Sequence, residues 1–131
     1  MQGLRDLARV FQAQTRILTE LRIPRIERPL PEEVTSALYS VAGEALDGLE
    51  RLSRATGVVM ILRAGRDAIS LSIRDDGVGL LARQAAAKGP TPHSALRAMR
   101  RTVEEVGGEV TFGPAQPRGL LVTVEVPLRV A

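Results

Sequence analysis

The chain has 131 residues, 44% of them hydrophobic, enough for one domain with its own core and too few for two. It carries no cysteine and a single histidine, which excludes disulfides, thiolate chemistry and a multi-ligand zinc centre. Aromatic residues are only 2%, the net charge is +3, and arginines interleave with acids, so neither base-stacking platforms nor a nucleic-acid partner is expected.

The opening Met1-Gln2-Gly3-Leu4-Arg5-Asp6 lacks the shape of a signal peptide, and no apolar run has the length of a membrane span. A cytoplasmic setting without direct membrane contact is the expectation. Residues 2–14 have helical spacing, with Leu4, Leu7, Ala8 and Phe11 on one stripe. Ile17, Leu18, Leu21 and Ile23 form a β-prone stretch, and the proline-rich 24–31 reads as an extended connector. A long amphipathic helix is predicted from Glu32 to Ser53, with Val34, Leu38, Val41, Ala45, Leu49 and Leu52 on its inner face. Gly48 lies inside it, at a cost of roughly 1 kcal/mol against Ala, which implies a reason for its presence.

Gly57 opens the strand Val58-Val59-Met60-Ile61-Leu62, apolar on both faces and so expected at the centre of a sheet. After a turn at Ala64-Gly65-Arg66-Asp67, Ile69, Leu71 and Ile73 alternate with Ser70, Ser72 and Arg74, the pattern of a hairpin partner with one wet face. Residues 79–92 read as a loop. Ser94 can cap a helix bearing Leu96, Met99, Val103 and Val106, which Gly107-Gly108 ends. Its Arg97, Arg100 and Arg101 are the one small basic cluster and read as a solvated face. Strands at Glu109–Phe112 and Leu120–Val126 close the chain. The expected fold is α+β: a two-layer sandwich, with helices on one face of a mostly antiparallel mixed sheet.

Asp75-Asp76-Gly77-Val78-Gly79 stands directly after a strand and before the loop. Its glycines permit close approach of backbone to a ligand, and an acid at a strand end can accept a hydrogen bond from a base amine. On its own the string fits an ordinary strand-to-loop turn equally well.

The chain as a whole resembles the ATP-binding domain of two-component sensor histidine kinases, in the GHKL superfamily with its Bergerat-type ATP-binding fold, and within that the nitrate-sensor-like branch. Four stretches carry the resemblance. Leu30-Pro31 through Leu38-Tyr39 to Glu44-Ala45-Leu46 is similar to the approach to the N box, and Ile73-Arg74-Asp75-Asp76-Gly77-Val78-Gly79 to the G1 box. Leu96-Arg97-Ala98-Met99-Arg100 with Gly107-Gly108 resembles the G2 box and its helix, and Val122-Thr123-Val124-Glu125-Val126-Pro127-Leu128 the closing strand.

This resemblance implies that Asp75 accepts the adenine amino group, with Gly77 and Gly79 shaping the loop around the base. It also implies that Glu44 helps to activate phosphoryl transfer; apart from the resemblance, Glu44 reads equally as a solvated helix residue. Arg51 keeps the basic residue usual near the nucleotide, and Ala95 and Leu96 fall in the G2 segment that meets the phosphates. Two boxes depart from the pattern. Gly48 replaces the Asn that holds Mg²⁺, leaving Asp47 as the substitute ligand. His93, Ala95 and Ala98 replace the G2 glycines, which weakens the backbone cradle for phosphates.

The implied function is the catalytic domain of a sensor histidine kinase. It would use ATP and Mg²⁺ to transfer a phosphoryl group to a histidine outside this chain, with a His-bearing dimerisation domain and a response regulator as partners. Residues 1–131 are expected to form that single domain, with no phosphoacceptor segment in front. The alternative is a degenerate pseudo-ATPase that keeps the fold for protein contacts; an anti-sigma-type serine kinase has no feature in its favour. His93 reads as a solvent-exposed loop residue.

Overall fold

Alternation of apolar and polar residues decides which face of each strand is buried, and the sheet is assembled from that pattern. The computed structural model describes residues 2–26, 28–52, 54–77 and 94–128. In chain order these form α1 (Gln2–Thr15), β1 (Leu18–Arg22), α2 (Glu32–Leu52), β2 (Gly57–Ala64), β3 (Ala68–Asp75), α3 (Ser94–Glu104), β4 (Glu109–Pro114) and β5 (Leu120–Pro127). The strands make one sheet in the order β1-β2-β3-β5-β4. β1 runs parallel to β2, and all other neighbours are antiparallel. This is the two-layer α+β architecture expected from the sequence.

The register stacks apolar side chains in rows across the inner face. Met60 stands opposite Ile73, which is opposite Val122, while Leu62, Leu71 and Val124 form the next row. All of them are buried. The helices cover this face: α1 contributes Leu4, Ala8 and Phe11, α2 contributes Val34, Leu38, Val41, Ala45 and Leu49, and α3 contributes Leu96, Met99 and Val103. Burial of such side chains, at about 25 cal/mol per Å², is the main force holding the layers together.

β2 occupies an interior position in the sheet, but only Val58, Met60 and Leu62 are buried, and Val59 and Ile61 are half-exposed. Helices cover a single face, so the apolar residues on the other side remain partly wet.

Local chemistry explains where α3 stops. Gly107 N–H donates to the Glu104 carbonyl at 3.0 Å and Gly108 N–H to the Val103 carbonyl at 3.0 Å. Gly107 has φ of 77°, so the pair forms a Schellman cap with glycine at the left-handed position. Arg97, Arg100 and Arg101 lie on the exposed side of the helix. The Arg100 guanidinium rests 5.5 Å from the centre of the Phe112 ring, a cation–π contact that pins α3 to β4.

Candidate functional site

β3 places the central residue by simple alternation. Ile69, Leu71 and Ile73 face the helices, so two residues further on Asp75 faces them too, at the rim of the core. It is 4% exposed, the one buried charged residue among those described. Its Oδ1 accepts a hydrogen bond from Gly77 N–H at 2.7 Å, which folds the chain over the carboxylate as it leaves the strand.

Around Asp75 the two helices α2 and α3 meet the sheet. Ala45 and Leu49 from α2, Ile73 from β3, Met99 from α3, and Leu120 and Val122 from β5 surround one apolar recess, with Asp75 as its only polar lining residue among the described residues. The recess is too tight to admit a water molecule. An apolar slot with one polar group at its end suits a flat heteroaromatic ring bearing a hydrogen-bond donor. Apart from Asp75, sequence reasoning did not single out these residues as site residues; the only signal was their place on the predicted core faces.

Two further contacts fix this corner. Gly119, with φ of 106°, passes so close to Asp75 that a Cβ there would lie 2.0 Å from the Asp75 carbonyl oxygen and 3.1 Å from Oδ1. Beside it, Asp76 ties the end of β3 to the start of β2. Its Oδ1 accepts from Thr56 N–H at 2.8 Å and Gly57 N–H at 3.0 Å, and its Oδ2 from the Thr56 hydroxyl at 2.6 Å. Partial burial pushes the Asp76 carboxyl up, but hydrogen bonds from Thr56 and Gly57 outweigh it and hold the pKa below 3.8. A carboxyl depressed on folding stabilises the fold fully above its unfolded pKa and loses that contribution as pH falls through the lower folded value. Asp76→Ala should therefore cost about 2 kcal/mol at pH 7. Urea unfolding should find the variant and the parent closer in stability at pH 3 than at pH 7.

The remaining predicted residues divide into two groups. Glu44, half-buried on α2, turns toward α3, where its Oε1 accepts a hydrogen bond from the Thr102 hydroxyl at 2.7 Å. Leu96 is fully buried beneath the first turns of α3, and Ala95 lies in its opening turn. Asp47 and Arg51 sit instead on the exposed side of α2, joined in an ion pair at 3.0 Å. Asp47 thus does not share the inward orientation of Glu44. No group of three histidine or acidic residues among those described is placed to hold a metal ion. Gly48 is buried and brings no ligand atom, and Gly79 and His93 lie outside the described residues.

No protein-family model matches the sequence. The sensor histidine kinase NarS of Mycobacterium tuberculosis is 30% identical over 128 residues, 97% of this chain and 30% of NarS. The sensor histidine kinase YxjM of Bacillus subtilis is 28% identical over 104 residues, 78% of this chain and 23% of YxjM. The catalytic domain of histidine kinase ThkA superposes with a TM-score of 0.76 at 12% identity, over 97% of this chain and 92% of that domain.

In sequence the chain is similar to part of two sensor histidine kinases, and it shares the fold of a histidine kinase catalytic domain. It spans 30% or less of the curated relatives it matches, while it matches the ThkA catalytic domain nearly end to end. The shared unit is therefore domain-sized. No helix among the described residues is long and apolar enough to cross a membrane.

Proposed function

We propose that this domain binds ATP in the recess closed by Asp75 and presents its terminal phosphate for transfer to a histidine outside this chain. A His-bearing dimerisation domain and a response regulator would be its partners in a two-component pathway. The observation that carries the reading is the buried Asp75 carboxylate at the end of an otherwise apolar slot between α2, α3 and the sheet. A carboxylate has acceptor positions on both oxygens, so the bond to Gly77 N–H is compatible with a second bond to the adenine amine. Since the slot is closed to water, a purine must displace side chains to enter. Met99, flexible and adaptable, is the residue best suited to move.

Phosphates leaving this slot would pass the start of α3, where the N–H groups of Ala95 and Leu96 and the positive end of the helix dipole favour anions. Arg51 would exchange its partner Asp47 for a phosphate oxygen, one charge-assisted contact for another. Gly77 and Gly79 would frame the base, and Glu44 would supply the carboxylate of the transfer step. The described residues do not fit a protein-held Mg²⁺. Gly48 has no donor, and the Asp47 carboxylate is engaged with Arg51. Asp47, the metal ligand suggested by the sequence, would have to leave Arg51 to approach a metal carried by the nucleotide.

Calorimetric titration of ATP with and without Mg²⁺ tests this reading. We expect saturable binding in both conditions, with affinities within about tenfold of each other, about 1.4 kcal/mol, since no group among the described residues is placed to hold the metal. No binding at millimolar ATP in either condition would contradict it. A large Mg²⁺-dependent tightening abolished by Asp47→Ala would instead make Asp47 a metal ligand.

A further inference from the structure

The contact between Glu44 and Thr102 joins two helices whose sequence positions are 58 apart. Glu44 is on the α2 wall of the domain and Thr102 on α3, one turn beyond Met99, which lines the nucleotide slot. The Thr102 hydroxyl donates to Oε1 at 2.7 Å, a short, charge-assisted geometry. The other oxygen, Oε2, is buried and has no hydrogen-bond partner among the described residues. A buried polar atom without a partner costs on folding and calls for an explanation. Here the two oxygens are unequal: one is anchored to α3, the other is held inside the protein without a bond of its own.

We propose that Thr102 is a positioning residue for Glu44, fixing Oε1 so that Oε2 is the oxygen presented to the reacting groups. This rests on the reading of Glu44 as the carboxylate of the transfer step. A carboxylate on a long side chain otherwise samples several rotamers, and fixing one oxygen removes that freedom before substrate arrives. The tether also makes the orientation of Glu44 depend on the seat of α3. Any shift of α3 as the slot opens for a base therefore reaches the carboxylate directly.

The test uses the full chain with Thr102→Val, which keeps the side-chain shape and removes the donor, and Thr102→Ser, which keeps the donor. In the nucleotide-free chain, the ¹³C resonance of the Glu44 side-chain carboxyl should move in Thr102→Val and return in Thr102→Ser. In phosphoryl transfer from ATP to an added His-bearing dimerisation domain, Thr102→Val should lower kcat about tenfold with the KM for ATP within twofold, and Thr102→Ser should restore it. Combined with Glu44→Gln, Thr102→Val should add no further loss, since both act through one carboxylate.

An unmoved carboxyl resonance in Thr102→Val would overturn the tether. A moved resonance with unchanged kcat would overturn the positioning role, and so would losses that add in the double variant. ATP binding to the parent chain, measured alongside, separates the readings. Binding without transfer to the added acceptor counts against the role of Glu44 and therefore of Thr102. Absent binding removes the nucleotide site itself, while the carboxyl resonance still reports whether the tether exists.

Discussion

Asp75→Ala should weaken ATP binding by about 1.5–3 kcal/mol, a loss of roughly 10- to 150-fold, while the protein stays folded. The magnitude follows from the position of the carboxylate. It is almost fully buried at the end of an apolar slot, where a hydrogen bond to a base amine meets little competition from water. The variant also frees Gly77 N–H from its acceptor, so the backbone leaving β3 loses its fold over the site. Calorimetry with ATP gives the affinity change, and thermal unfolding of the same variant shows that the loss is not a loss of fold. An affinity equal to that of the parent would remove Asp75 from the nucleotide site.

The second large effect is at Gly119. Gly119→Ala would place a methyl carbon 2.0 Å from the Asp75 carbonyl oxygen, on a backbone with φ of 106°. Both terms are unfavourable: the conformation is one L side chains rarely adopt, and the clash is with main chain, which cannot rotate aside. We expect a destabilisation of at least about 3 kcal/mol, seen as a fall in Tm of roughly 10 °C. Whatever fold survives has to push β5 away from Asp75, so ATP affinity should fall as well. Gly113→Ala is the matched control, because a Cβ there meets nothing within 4 Å and its φ is not in the left-handed range. A Gly119→Ala variant as stable as the Gly113→Ala control would show that β5 does not approach Asp75 this closely.

The sequence makes much of this corner legible. Period-two alternation through Ile69, Leu71 and Ile73 puts Asp75 on the helix-facing side, and the spacing of Val34, Leu38, Val41, Ala45 and Leu49 supplies the wall opposite. The paired glycines after Val106 mark the end of α3 because the Schellman cap is a local motif whose residues are adjacent. Contacts made across long stretches of chain were not legible. Nothing in the neighbourhood of Thr102 points to Glu44, and Gly119 reads as an ordinary turn glycine until β5 is docked beside β3. The sequence groups Asp76 with Asp75 in one motif, yet Asp76 accepts its hydrogen bonds from Thr56 and Gly57, where it serves the sheet rather than the slot. Asp47 shows the limit of helical spacing. Three residues from Glu44, it is near enough in angle to suggest a shared face, but the half-buried boundary runs between them and Asp47 turns out to Arg51.

The proposed adenine site is the recess around Asp75. Amide chemical-shift mapping by NMR during an ADP titration tests it most directly. Shifts should concentrate at Ala45, Leu49, Asp75, Gly77 and Met99, with the end of the sheet near Arg25, Arg28 and Arg66 unaffected. Shifts confined to that arginine-lined end, or none at saturating ADP, would contradict it.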